Sequence, residues 1–391
     1  MCRKRIGIGG KMKIMFSVGE ASGDLHGAVL AAAIRKIVPE AELFGMGGIK
    51  MKQAGVRIVY DIENLGVIGI GEVIRKIPFF LHLRQYLLTV MKKERPDVLV
   101  CVDYPGFNMR LAKKAKVLGI PVIYYILPTI WAWNKKRGKT IVDYTDLAIS
   151  LFPFETELYQ QIGAKAVYAG HPLLDTVRAT MPKEEVYKQM GIVPETKTVL
   201  LMPGSRQQEV RRLFPVMLQA ARRLQSYVPQ VQFIVPRAPT IPRSELERFI
   251  AVSGVPVRIG EHSAYDMMQI STAAIVASGT ATLETALMEV PTLLVYKVNT
   301  LTYALAKVLV HLDSIGLPNI IMGRRIMPEL WQGQVTPQRI VDTVLPVLTN
   351  AVIREQQRRA MSSVRAALGQ SGAVRRIAAI IVRFVKEKQR V

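Results

Sequence analysis

Apolar residues along this chain come in short runs, each followed by a longer stretch in which apolar positions recur at helical spacing. Runs at 13–18, 41–45, 57–60, 97–102, 121–126, 146–150 and 165–168 read as strands in the first half, and 198–202, 231–235, 255–259, 273–277 and 292–296 in the second. Strands alternating with helical stretches are the pattern of βαβ units and parallel sheets. The turn-rich Gly170-His171-Pro172-Leu173-Leu174-Asp175 separates the halves. The fold class predicted is α/β: two Rossmann-like domains, over residues 12–170 and 171–355, with parallel sheets facing each other across a cleft. Residues 356–391 read as helices, with Gly369 to Gly372 between two of them. They are expected to cross back and pack on the first domain.

A chain of 391 residues, half of them hydrophobic, is long enough for two cores and too apolar for disorder. No apolar run approaches a membrane span. Met1-Cys2-Arg3-Lys4-Arg5 is basic, yet no apolar core and cleavage site follow, so no secretory signal is expected. Residues 1–11 look like an extension ahead of a strand that starts at Met12-Lys13-Ile14. Cys2 and Cys101 are the only cysteines, which argues against a disulfide framework or a cysteine zinc site and fits the cytosol.

Charge changes the picture more. Lys and Arg number 53 against 30 Asp and Glu, a formal net charge of +23. Such a surface seeks polyanions. Clusters stand at Arg75-Lys76, Lys92-Lys93, Lys113-Lys114-Lys116, Lys135-Lys136-Arg137 and along the last 40 residues. Three readings are open: a solvated basic surface, an anionic membrane surface, or nucleic acid. No nucleic-acid motif is present and aromatics are not interleaved with the basic clusters, which counts against the third. Residues 66–93 set Val73, Ile74, Ile77, Phe80, Leu81, Leu87 and Leu88 among cations, as an interfacial amphipathic helix or an ordinary surface helix would. Phe79-Phe80, after Pro78, would form an exposed apolar tip unless buried.

Four segments carry candidate chemistry, each where a predicted strand ends; ligands of open α/β sheets bind beyond such ends. Gly19-Glu20-Ala21-Ser22-Gly23-Asp24-Leu25-His26-Gly27 follows the first strand and is poor core material. Asp103 ends a near-continuous apolar strand and is placed for general-base work or for a turn. Pro203-Gly204-Ser205-Arg206 leads into a helix, whose free N–H groups and positive pole can seat a phosphate beside the planar Arg206 fork. Ser278-Gly279-Thr280 repeats that design: Ser278 and Thr280 are good N-caps, and Gly279 allows close backbone approach. Glu284, four residues beyond Thr280, could accept from both hydroxyls of a ribose, or simply favour the helix dipole. The two turns together suggest a nucleoside diphosphate bound by the second domain. Trp131-Ala132-Trp133 could line an apolar or sugar-binding wall. P-loop, zincin, nucleophile-elbow and Asp-x-Asp signatures are absent, which makes a metal-held diphosphate an unfavoured reading.

The chain resembles lipid-A-disaccharide synthase, a family of bacterial inverting glycosyltransferases of the GT-B fold. The resemblance runs from about Lys13 to the C-terminus. It rests on GEASGDLHGA (19–28), VDYPGFN (102–108), PTIWAWNKKR (128–137), FPFE (152–155), GHPLLD (170–175), PGSRQQEV (203–210), SGTATLE (278–284) and LPNII (317–321). It implies that UDP-2,3-diacylglucosamine donates its sugar to 2,3-diacylglucosamine 1-phosphate, giving a β-1,6-linked disaccharide 1-phosphate and UDP in lipid A biosynthesis. It also implies a cytoplasmic protein held peripherally at the inner face of the inner membrane. Family members can form dimers through their C-terminal parts, which leaves a homodimer open.

On this reading Gly204, Ser205, Arg206, Ser278, Gly279, Thr280 and Glu284 hold UDP. No metal or other cofactor is expected, because arginine and backbone donors take the developing charge. Asp103 is the base that takes the proton of the acceptor 6-hydroxyl, with Glu20 as its rival. Ser22, Asp24, His26, Trp133 and Asn319 border the acceptor or cleft. Val67, Ile68, Ile74, Arg75, Lys76, Phe79 and Phe80 contact the membrane. Two rivals are a UDP-sugar 2-epimerase of the same scaffold and, on charge alone, a nucleic-acid-binding protein.

Overall fold

The computed structural model describes residues 11–65, 77–130, 135–261, 263–299 and 313–390. The chain divides into two compact units, Met1–Asp175 with Gln370–Val391, and Thr176–Gly369.

The first unit is built on a seven-stranded sheet in the order β3-β2-β1-β4-β5-β6-β7. Its strands are β1 (Lys13–Val18), β2 (Glu42–Gly47), β3 (Arg57–Asp61), β4 (Val98–Val102), β5 (Val122–Tyr125), β6 (Leu147–Ser150) and β7 (Ala166–Tyr168). The second unit has six strands in the order β10-β9-β8-β11-β12-β13. These are β8 (Thr198–Met202), β9 (Gln232–Pro236), β10 (Val257–Gly260), β11 (Ala273–Ala277), β12 (Thr292–Tyr296) and β13 (Glu329–Trp331). The strand pairs of both sheets are parallel. Alternate residues of a strand feed opposite layers. Ile14, Phe16 and Val18 join the Ala21–Ile37 helix on one face of the first sheet, while Met15 joins the Ile77–Glu94 and Pro105–Val117 helices on the other.

All twelve expected strands form, with ends moved by at most a few residues. The thirteenth, Glu329–Trp331, was not expected: it has three residues and opens on a buried carboxylate.

The expectation for residues 356–391 needs correction. The Ala351–Ala367 helix stays with the second unit and packs on the Thr280–Leu287 and Leu317–Met322 helices. Only Ala373–Arg390 packs on Ala21–Ile37 in the first unit, where Ile377, Ala378, Ile381 and Val385 are buried. Gly369 and Gly372, at φ 81° and 88°, form the left-handed turn between the helices. Asp175 caps the last helix by accepting from the Gly372 and Val374 amides. Arg376 ties it down by donating from Nε to the Ala169 carbonyl at 2.7 Å. Among the described residues no helix is long and apolar enough to cross a membrane.

Candidate active site

In each sheet the strand order reverses direction at one pair, β1/β4 in the first unit and β8/β11 in the second. A crevice opens where the connections beyond such a pair run to opposite faces. All four candidate loops leave these four strands.

In the first unit, β1 and β4 run side by side with Val18 opposite Val102, so the Gly19–Glu20 and Asp103–Tyr104 turns adjoin. A Cβ on Gly19 would lie 2.1 Å from the Tyr104 ring, so this approach requires glycine. Asp103 and Tyr104 both hold left-handed backbone, φ 49° and 52°. That conformation is uncommon outside glycine and persists where the surroundings enforce it. Asp103 N donates to the Tyr125 carbonyl at 2.9 Å. Its own carbonyl accepts from Asn108 Nδ2 and the Tyr124 hydroxyl, both at 2.8 Å. Asn108, fully buried, also donates to the Ser17 carbonyl at 3.0 Å and accepts from the Ser17 hydroxyl at 2.6 Å. It locks the ends of β1 and β4 together. The segment VDYPGFN drew attention to Asp103, but its buried asparagine was the overlooked signal.

The Asp103 carboxyl is half-buried, and burial raises its pKa. A hydrogen bond from the Tyr104 amide opposes this, and the Glu20 charge adds to it. A carboxylate so raised is a stronger proton acceptor than a free one. Glu20 is exposed at the N-cap of the Ala21–Ile37 helix, and Ser22 is exposed beside it.

Asp24 is not an open cleft group. It is buried, and its carboxylate accepts from the Gly48, Lys50 and Met51 amides at 2.7, 3.0 and 3.2 Å, capping the Ile49–Gln53 helix. His26 lies edge-on to the Tyr125 ring at 6.2 Å, and burial lowers its pKa. His171, buried, accepts from the Leu173 amide through Nδ1 at 3.1 Å; burial and then the nearby His26 bring its pKa down to about 4. Burial thus disfavours the charged form of both imidazoles. Trp133 lies outside the described residues.

In the second unit, Gly204 takes φ 118° and Arg206 becomes the N-cap of the Gln207–Tyr227 helix. The Arg206 side chain is 81% exposed and donates from Nη1 to Glu209 Oε1 at 2.9 Å. Glu209 Oε2 accepts from the Arg206 amide at 3.4 Å, the half of a capping box that an arginine N-cap, having no acceptor of its own, allows. The Ser205 carbonyl accepts from the Thr240 hydroxyl at 2.5 Å, which fixes the turn from outside.

At β11 the expected caps are corrected. Gly279, at φ 152°, is itself the N-cap of the Thr280–Leu287 helix, so neither Ser278 nor Thr280 caps it. Among the described residues no side chain makes a capping hydrogen bond at that helix start, which suits an anion. Glu284 is partly buried and its pKa is raised by burial, an effect opposed by the hydrogen bond from Tyr265. The Tyr265 hydroxyl donates to Glu284 Oε1 at 2.9 Å, a partner sequence reasoning did not name.

Asn319 is also corrected: it is buried and all its valences are used. Its Nδ2 donates to the Met327 carbonyl at 2.8 Å and to Glu329 Oε1 at 2.7 Å, while Oδ1 accepts from the Ile326 and Met327 amides. Among the described residues no three His, Cys, Asp or Glu side chains cluster so as to hold a metal ion.

Of the expected membrane contacts, Val67, Ile68, Ile74, Arg75 and Lys76 lie outside the described residues. Phe79 and Phe80 are not an exposed tip; they are half-buried, edge-to-face with each other at a centroid distance of 5.4 Å and packed on the core beside Tyr60 and Phe107. The Ile77–Glu94 helix instead exposes Ile77, Leu81 and Tyr86.

Comparison with known proteins adds the family. Residues 14–382 match the family described as lipid-A-disaccharide synthetase. The chain is 41% identical over 375 residues to the lipid-A-disaccharide synthase of Syntrophus aciditrophicus, covering 96% of this chain and 98% of that one. Among solved structures, a putative UDP-N-acetylglucosamine 2-epimerase from Listeria monocytogenes superposes with a TM-score of 0.65 at 15% identity, over 97% of this chain and 98% of that one. A calicheamicin glycosyltransferase does so with a TM-score of 0.60 at 14% identity, over the same shares of each chain. At such identities these two likenesses show the fold, the GT-B arrangement of two parallel-sheet α/β domains.

Proposed function

Because the chain belongs to the lipid-A-disaccharide synthetase family, and is thereby a glycosyltransferase of lipid A biosynthesis, we propose a division of labour between its two units. The reaction condenses UDP-2,3-diacylglucosamine with 2,3-diacylglucosamine 1-phosphate. The second unit holds UDP: Arg206 and the helix starts after Ser205 and Gly279 neutralise the leaving diphosphate, and Glu284 accepts from the ribose. The first unit holds the acceptor. Asp103 removes the proton of the 6-hydroxyl as that oxygen attacks the anomeric carbon from the face opposite UDP. The observation that carries this reading is the half-buried Asp103 carboxyl, raised in pKa, at the β1/β4 reversal. The epimerase likeness concerns the scaffold, and the family match favours transfer.

The variant Glu20→Gln separates the two candidate bases. A base works only when deprotonated, so turnover falls as pH drops through its pKa. Glu20's charge raises the Asp103 pKa. Removing it lowers that pKa, so the acid limb of the kcat profile moves to lower pH while the plateau is retained. A collapse of the plateau would make Glu20 the base.

We further propose peripheral attachment to an anionic bilayer, supported by the net charge of +23 and by exposed Ile77 and Leu81 on the Ile77–Glu94 helix. Each cation near such a surface contributes about 1 kcal/mol. The protein should sediment with phosphatidylglycerol vesicles at low salt, and Leu81→Asp should weaken this. Equal binding to phosphatidylcholine vesicles would count against the charge term.

A further inference from the structure

Glu284 faces a requirement its own helix does not meet. To accept from two adjacent ribose hydroxyls, a carboxylate needs a fixed plane and a free oxygen edge, yet a glutamate side chain has three rotatable torsions. The Tyr265 hydroxyl, donating to Oε1 at 2.9 Å, supplies the missing constraint. Among the described residues no other hydrogen bond reaches this carboxylate, so Oε2 is left for a ligand.

The platform under Tyr265 is unusually well held for so short an element. The Ala264–Gln269 helix has six residues, far too few to be stable alone. Ser263 Oγ caps it by accepting from the Tyr265 amide at 3.2 Å. Asp266, buried, accepts from the Thr180 amide and hydroxyl at 2.6 and 2.9 Å and from the Met181 amide at 3.0 Å. Gln269 Nε2 donates to the Met181 carbonyl at 2.6 Å. Met267 and Met268 are buried in the core. The phenol therefore projects from an element fixed on three sides.

We propose that Tyr265 is the positioning residue for ribose recognition, holding Glu284 Oε1 so that Oε2 meets the ribose hydroxyls of the donor. This rests on the assignment of Glu284 to the ribose given above. Tyr265 acts through Glu284 and touches neither reacting atom.

The test compares UDP with 2′,3′-dideoxy-UDP by titration calorimetry on the full chain, for the wild type, Tyr265→Phe, Glu284→Ala and the double variant. Phenylalanine keeps the ring packing and removes only the donor. A hydrogen bond to a charged group is worth enough for about a tenfold loss of UDP affinity in Tyr265→Phe. Binding of the dideoxy nucleotide should stay within about twofold, since there is no ribose hydroxyl for the carboxylate to meet. The double variant should bind UDP no worse than Glu284→Ala alone. In turnover the donor KM should rise with kcat unchanged. If Tyr265→Phe weakens both nucleotides equally, or weakens neither, Tyr265 is not a positioning residue. If Glu284→Ala leaves the preference for UDP over its dideoxy form at the wild-type value, the ribose assignment itself fails, whatever Tyr265 does.

Discussion

Replacing Asp103 by asparagine should lower kcat by about 10²–10⁴-fold, the usual range for loss of a general base, while UDP binding stays within about twofold of wild type. The substitution is chosen so that only the chemistry changes. The left-handed backbone at residue 103 is one that asparagine adopts readily, and the amide bond to the Tyr125 carbonyl does not involve the side chain. The bonds from Asn108 and Tyr124 likewise reach the Asp103 carbonyl and survive. What is lost is a proton acceptor made stronger by burial and by Glu20. Positioning of the two substrates and stabilisation of the leaving diphosphate should sustain the residual rate. Near-normal turnover in a folded Asp103→Asn protein would move the base elsewhere, with Glu20 the first alternative.

Arg206→Ala should act on both binding and rate. A charge-assisted hydrogen bond is worth roughly 1.5–3 kcal/mol, so UDP affinity should fall about 10- to 150-fold. The rate should fall too, because the diphosphate gains charge as its bond to the anomeric carbon breaks and, on the proposed reading, the guanidinium would meet that charge in the transition state. Stability should change little, since the side chain is largely exposed and its ion pair with Glu209 is of the surface kind. Glu209 already accepts from Nη1 of the guanidinium, so on the proposed reading diphosphate binding would exchange one anion for another there. Arg206→Lys should recover part of the loss, because lysine keeps the charge without the two-pronged geometry. Equal UDP affinity in wild type and Arg206→Ala, measured by calorimetry, would remove Arg206 from the site.

Much of this was legible because parallel α/β proteins write their elements locally. Apolar runs marked twelve strands, and glycine-bearing turns marked the ends of β1, β8 and β11, which prove to lie at the two reversals of strand order. The polar misses share one physical cause: a polar side chain announces its presence in sequence but not its partner. Asp24 and Asn319 looked like cleft groups, yet each spends its valences on buried backbone. Asn108 and Tyr265 looked unremarkable, yet Asn108 ties the Asp103 carbonyl to Ser17, 91 residues from Asn108 in sequence, and Tyr265 donates to Glu284, 19 residues on. Phe79 and Phe80 followed a proline in a basic stretch, and only the tertiary packing with Tyr60 and Phe107 turns them inward. The crossing of the chain back to the first unit was anticipated for too long a segment, because both terminal helices are amphipathic and basic. The Asp175 cap and the Arg376 clamp, which join residues 197 and 207 positions apart, hold the last helix on the first unit.

The central claim is most directly tested by incubating the protein in detergent with UDP-2,3-diacylglucosamine and 2,3-diacylglucosamine 1-phosphate and identifying the products by mass spectrometry. Equimolar UDP and a β-1,6-linked disaccharide 1-phosphate are the expected products. UDP binding without disaccharide, accompanied by epimerisation of UDP-N-acetylglucosamine, would contradict it.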